Sequence, residues 1–166
     1  MKKSLITLVS LALLVLFASS YSSNAVDAEV GRLAPSFEIQ NDSSSFSLGK
    51  AKGKYVLLSL WTSADADSRM RNMEYDSHFN DNDVSSMSLF SVNFDRNETI
   101  YREIARRDNL KAGSHFYDRD GHNSDIYQQY HLNEGYNAFL IAPSGKIIAV
   151  NPDLKTWTTI LRREQH

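Results

Sequence analysis

Tyr55-Val56-Leu57-Leu58-Ser59-Leu60-Trp61 is an almost unbroken apolar run, bounded by Lys54 and by Thr62-Ser63. Seven such residues between polar boundaries predict a strand buried on both faces, the situation of strands in parallel sheets. The segment that follows, Asp65-Ala66-Asp67-Ser68-Arg69-Met70-Arg71-Asn72-Met73, predicts a helix over 66–79 with an acidic first turn. A strand feeding directly into a helix N-terminus is where many α/β proteins keep their chemistry, because unpaired backbone N–H groups and the helix dipole favour an anion there. Any function of this chain is expected to start at this junction.

Ahead of the domain, Lys2 and Lys3, the apolar stretch 5–17 and the small residues Ser23-Asn24-Ala25 have the order of a secretion signal. The stretch is shorter than the roughly 20 residues a bilayer span requires, and no cysteine follows it for lipid attachment. Cleavage is expected after Ala25, with Ala28 the second choice, leaving residues 26–166 as one periplasmic or secreted domain with its core at 30–163 and no membrane anchor. Cleavage takes two lysines and no acid from a chain with 18 basic and 20 acidic side chains. The mildly acidic remainder argues against nucleic acid and anionic membranes as partners. With no cysteine in the chain, an exported domain of this size has no disulfide and rests on its core alone.

Further along, the alternation of Phe37 and Ile39 predicts an edge strand behind Pro35, and Phe46-Ser47-Leu48 its hairpin partner across the 41–45 turn. A second buried strand is predicted over 88–94. A helix from about Asn97 follows, with Ile100, Tyr101, Ile104 and Ala105 as its apolar face and Asp95 or Asn97 as its cap. Residues 114–118 predict a short strand and 125–130 a helix. Phe139-Leu140-Ile141 and 147–150 predict an antiparallel hairpin around Pro143-Ser144-Gly145. Leu154, Trp157, Ile160 and Leu161 mark the inner face of a last helix ending at Arg162 and Arg163. The alternation of strand and helix predicts right-handed crossovers. Asp118, Asp120 and Asn123 invite a calcium reading, but their spacing is not that of an EF-hand and no glutamate closes the loop; they read as a solvated turn with a helix cap, so no metal ligand is assigned and no cofactor is expected.

The frame Trp61-Thr62-Ser63-Ala64-Asp65-Ala66-Asp67-Ser68-Arg69 resembles W-x-x-W-C-x-x-C-R of the thioredoxin superfamily, in particular its TlpA-like and AhpC/TSA (redoxin) thiol-disulfide oxidoreductases. The opening Val30-Gly31-Arg32-Leu33-Ala34-Pro35-Ser36-Phe37-Glu38-Ile39 is similar to the redoxin V-G-x-x-A-P-x-F-x-L, and Gly53-Lys54-Tyr55-Val56-Leu57-Leu58 to its G-K-Y-V-L-L. The resemblance implies a three-layer α/β/α sandwich with a mixed central sheet and an N-terminal β-hairpin. It places the two redox cysteines at Asp65 and Ser68, the family's glutamate at Arg71 and its helix proline at Met73. It also places the cis-proline that faces the cysteines at Tyr136 or Asn137, where a trans bond is expected because a non-proline cis bond costs about 3 kcal/mol or more.

A carboxylate cannot form a mixed disulfide, and Ser68 cannot resolve one. Thiol redox chemistry is therefore excluded. Asp67 and Asp65 suit the helix N-terminus. An acid–base role for them would need a third group, and none of His78, His115, His122, His131 and His166 has a sequence claim to that place. Arg69 and Arg71 are positioned to pair with the two acids and lower their pKa values. Trp61 and Tyr136 flank what the resemblance makes a peptide-binding surface, together with Ala64, Asp65, Asp67 and Asn137, although Trp61 at the end of a buried strand reads first as core. Three functions are compatible with this pattern, in descending order. They are a non-catalytic module binding an exported protein or peptide, a recognition subunit in a redox pathway whose thiols belong to a partner, and a non-thiol enzyme built on Asp65 and Asp67.

Overall fold

The computed structural model describes residues 28–41, 44–51, 53–81, 87–111 and 115–164. The signal segment and its cleavage site lie outside the described residues, as do the side chains of Leu161, Arg162 and Arg163. A two-stranded hairpin, β1 (Glu38–Gln40) with β2 (Ser45–Ser47), precedes a five-stranded sheet of order β5-β4-β3-β6-β7. Its strands are β3 (Tyr55–Trp61), β4 (Met87–Asn93), β5 (His115–Tyr117), β6 (Ala138–Ile141) and β7 (Ile147–Val150). The helices are α1 (Ala66–Asp81), α2 (Glu98–Arg107), α3 (Asp125–Gln129) and α4 (Leu154–Glu164). β3 runs parallel to β4 and antiparallel to β6, so the sheet is mixed. Leu48, expected to end β2, instead opens a 3-10 turn over Leu48–Ala51.

Every residue of β3 is buried, and the period-2 pleat sends its side chains to two different cores. Val56, Leu58 and Leu60 join the hairpin residues Phe37 and Phe46 and the α3 residues Ile126 and Tyr127. Tyr55 and Leu57 join Tyr75 of α1 and Trp157 of α4. Leu57 faces Leu89 on one neighbour and Leu140 on the other, a continuous row of three leucines across the sheet. Each fully buried side chain of this size contributes roughly 1.5–3 kcal/mol, so β3 is the element on which both layers assemble.

Two helices meet the sheet with little apolar surface. The apolar side of α2 does not sink into a core: none of its residues is fully buried, and Ile100 is 42% exposed. Asn97 caps it, its side chain accepting from the Ile100 N–H at 2.9 Å, while Asp95, the other cap candidate, is used elsewhere. In α1 the buried side carries Ser68, Asn72, Tyr75 and Asp76, whereas Met70 and Met73 face outward. Two of those inward groups, Asn72 and Asp76, find partners on the sheet, and the Tyr75 hydroxyl donates to the Pro152 carbonyl at 2.8 Å. Ser91 of β4 donates to Asn72 at 2.7 Å, and His115 of β5 lies 2.8 Å from Asp76.

Candidate functional site

The site is the junction where β3 ends and α1 begins. Beyond Trp61 the chain turns through residues 62–65 over Asp95, which sits at the end of β4. One Asp95 oxygen accepts from the Thr62 hydroxyl at 2.6 Å, the Ser63 N–H at 2.8 Å and the Ser63 hydroxyl at 2.9 Å. The other accepts from the Asn93 amide at 3.1 Å, and the Asp95 N–H returns to the Asn93 carbonyl oxygen of the side chain at 2.9 Å. A buried carboxylate satisfied by this many donors holds the loop in one shape. The sequence signal for it was the pair of polar residues, Asn93 and Asp95, at the end of an otherwise apolar strand.

Asp65 is the N-cap of α1. Its carboxylate accepts the Ser68 N–H at 2.7 Å, and the Ser68 hydroxyl donates to the Asp65 carbonyl at 3.2 Å. The first bond satisfies a helix-terminal N–H that would otherwise face a ligand. The Ser68 side chain and then its backbone, with a smaller part from Arg71, hold the Asp65 carboxyl below the usual carboxylate range against the opposing effect of burial. Asp67 is exposed in the first turn, and Ala64 is exposed at the loop apex. The anion position of the strand-to-helix turn is thus filled by the chain's own carboxylate.

Neither arginine pairs with these acids as expected. Arg69 forms a bidentate ion pair with Asp108, at 2.7 and 2.6 Å. Arg71 donates to the Tyr136 carbonyl at 2.8 Å. α1 is long enough to carry the first guanidinium to the end of α2 and the second to the chain entering β6.

Tyr136 and Asn137 lie beside this junction. The Leu60 N–H donates to the Asn137 carbonyl at 3.1 Å, extending the β3–β6 ladder past Ser59. The Tyr136 ring packs 6.1 Å from Phe94 and 6.4 Å from Tyr127. Its hydroxyl is pushed up to about 12 by burial and by Tyr127, Asp95 and Asp65, in that order. All described peptide bonds are trans, including those at Tyr136 and Asn137. Asn151, in the left-handed region at φ 45, bonds the Ala138 N–H and the Asn137 side chain at 2.8 and 2.7 Å and so holds the segment from below.

Trp61 is a correction to the accessible set. Its side chain is 0% exposed, and its indole N–H donates to Ser91 at 2.8 Å, so it offers no atom to a partner. It forms the floor of the junction, with Tyr101 edge-on at 6.4 Å. The structure therefore brings Ala64, Asp65, Asp67, Tyr136 and Asn137 to one end of the sheet, with Trp61 beneath. The described histidines go elsewhere: His78 lies 4.8 Å from Trp157, His122 stacks on Tyr127 at 4.5 Å, His115 meets Asp76, and His131 stands in a left-handed turn, while His166 lies outside the described residues. In the 118–123 loop, Asp118 accepts the N–H groups of Asp120 and Gly121 at 2.9 and 3.0 Å, and among the described residues no group of three potential metal ligands converges.

The mixed sheet, the appended hairpin and a strand-to-helix junction facing the start of β6 define a thioredoxin-like protein, and the chain belongs to that family as a member with neither redox cysteine. Among solved structures, it is 32% identical to a thioredoxin-like protein from Parabacteroides distasonis, over 82% of this chain and 96% of that one, with a TM-score of 0.68. The thioredoxin domain of a thiol-disulfide oxidoreductase from Bacteroides vulgatus shares the fold at 22% identity, over 82% and 97% of the two chains, with a TM-score of 0.67. A thiol-disulfide oxidoreductase from Bacteroides fragilis does so at 19% identity, over 80% and 99%, with a TM-score of 0.64. No protein-family model and no curated protein matches the chain.

Proposed function

We propose that this chain is an exported, non-catalytic member of the thioredoxin-like family that binds another exported protein or peptide at the face formed by Ala64, Asp65, Asp67, Tyr136 and Asn137. The observation that carries this reading is the occupation of the helix N-terminus. Where a thiolate would be held, Asp65 already takes the Ser68 N–H at 2.7 Å, and neither it nor Ser68 can exchange a disulfide. What is left is shape: an exposed loop apex and a half-buried tyrosine above a rigid floor, the kind of arrangement in which an aromatic anchors a partner. The order of Lys2, Lys3, the apolar 5–17 stretch and Ala25 supports export to the periplasm.

The solved relatives named as thiol-disulfide oxidoreductases favour a second reading, in which the chain recognises substrates for a redox pathway whose thiols a partner supplies. One experiment separates the two. A photo-crosslinking residue at Ala64, with capture from the exported fraction, is expected to trap a partner; active-site thiols in that partner select the second reading and their absence the first. If crosslinks arise equally from a control position on α4, the proposed face is wrong.

A further inference from the structure

A groove of about 590 Å³ opens between α2, the edge strand β5 and the tip of the β1–β2 hairpin. Its lining carries Arg102, Arg106, Lys111 and Arg119 and one carboxylate, Glu98, which pairs with Arg102 at 2.6 Å and Arg119 at 3.8 Å, while Arg106 pairs with Glu103 at 2.8 Å, so cations still outnumber the acids beside them. In a chain whose acidic residues outnumber its basic ones, 20 to 18, this is a local reversal of sign. Between the cations, Tyr101 and Tyr117 stack on each other at 5.6 Å and 15°.

The backbone adds a second recognition element. The Asp118 N–H donates to the Asn93 carbonyl at 2.9 Å, in a register pairing Asn93 with Tyr117. Phe116 and Asp118 therefore direct their polar groups to β4, while His115 and Tyr117 direct theirs out of the sheet edge toward the groove. Asn41 reaches the His115 carbonyl at 3.4 Å. The floor is rigid, since His115 is itself held by Asp76.

We infer that this groove binds an extended acidic segment of another polypeptide, its carboxylates meeting Arg102, Arg106, Lys111 and Arg119 while an apolar or aromatic residue packs beside the stacked pair of Tyr101 and Tyr117. Charge decides the sign of the occupant. The openness of the cationic groups decides its size: the side chains of Arg102, Arg106 and Arg119 are 63%, 76% and 69% exposed, too solvated to enclose a small anion, which is held by convergent buried donors. A chain of carboxylates engages several exposed cations at once and gains through their number. Arginine clusters are a recurring means of reading acidic motifs. The inference stands apart from the reading of the Asp65 face.

The test is fluorescence polarisation with a labelled ten-residue peptide of alternating Glu and Val with a central Tyr, added to the full chain at low salt. Saturable binding is expected, absent for the same peptide with Lys in place of Glu, and weakened at least tenfold by Arg106→Glu with Lys111→Glu. Asp65→Asn is expected to leave the affinity unchanged. Should the double reversal lower the thermal midpoint, Arg106→Gln and Lys111→Gln singly are expected to weaken binding two- to fivefold. The inference is overturned by failure to saturate, by indifference to charge reversal or neutralisation, or by equal binding of a ten-residue oligothymidylate. Displacement by free glutamate or inorganic phosphate at the same molar concentration as unlabelled peptide also overturns it, since that would make the groove a small-anion site.

Discussion

The guanidinium of Arg71 donates to the carbonyl oxygen of Tyr136 at 2.8 Å, joining the middle of α1 to the residues entering β6 across 65 positions of sequence. Removing it strands a carbonyl and frees the segment that carries Tyr136 and Asn137. Arg71→Ala is expected to cost about 1.5–3 kcal/mol in urea unfolding, the range for a hydrogen bond involving a charged group. Amide exchange at Ala138 should rise in the same variant. Arg71→Lys, with one shorter donor arm, should recover part of the loss.

Asp95 gathers Thr62, Ser63 and Asn93 at the loop base. Asp95→Ala leaves buried donors without an acceptor and is expected to destabilise by about 2–4 kcal/mol, whereas Asp95→Asn keeps the shape and loses less. Partner crosslinking at Ala64 should fall with the loop, so both unfolding and capture read the same variant.

The lowered pKa of Asp65 has a definite signature in acid. A carboxylate depressed on folding contributes stability that is present above its unfolded value near 3.9 and lost as pH falls through the lower folded value. Asp65→Ala, expected to cost about 1 kcal/mol at pH 7 as a lost N-cap, should therefore draw toward the parent as pH falls below the unfolded value. Asp118 acts in the opposite sense: burial raises its pKa, so its ionised form weakens the fold at neutral pH and protonation relieves this. A difference between parent and Asp65→Ala that stays constant from pH 7 to pH 2 would disprove the cap.

Several tyrosines should titrate late. Tyr75 and Tyr136 are each pushed up to about 12 by burial, and Tyr130 further still. Their protonated form is favoured by folding, so stability is intact below pH 10 and declines as pH rises past the unfolded value. Phenolate absorbance should rise in two phases, the later one coinciding with alkaline unfolding. Tyr136→Phe should remove one residue from the later phase.

If the junction keeps the family geometry, sulfur should revive it. Asp65→Cys with Ser68→Cys places two thiols at a helix N-terminus, where a thiolate is stabilised and its pKa falls below the free value near 8.5. The double variant is expected to form an intramolecular disulfide and to reduce insulin in the presence of dithiothreitol, at a rate below that of a true oxidoreductase. The parent chain should show none of this activity. A double variant that folds but cannot close the disulfide would mean the loop has moved away from the inherited geometry.

Most of the architecture was legible because it is written in apolar periodicity. β3 stands at the residues its run indicates, and α1 starts at Ala66 as expected. β4 begins one residue early at Met87, and α3 ends at Gln129. The site was harder to read. Asp65 was recognisable from its place before a helix, but the destinations of Arg69 and Arg71 were not, since Asp108 and the Tyr136 carbonyl are neighbours only after the crossovers form. The buried pair of Asp76 and His115 was equally hidden, because each residue alone looks like a surface polar group. α2 misled for a different reason: Tyr101 and Ala105 of its apolar stripe line an open groove and Ile100 faces outward, so no residue of the stripe is fully buried.

The polar inner side of α1 fixes the helix in rotation. Apolar contacts tolerate sliding, but the links from Asn72 to Ser91 and from Asp76 to His115 are directional and short. Turning the helix about its axis would exchange methionines for amides against the sheet and strand every one of those partners. α1 is thus keyed like a toothed shaft, and its leading tip, with Asp65, is aimed the same way in every molecule.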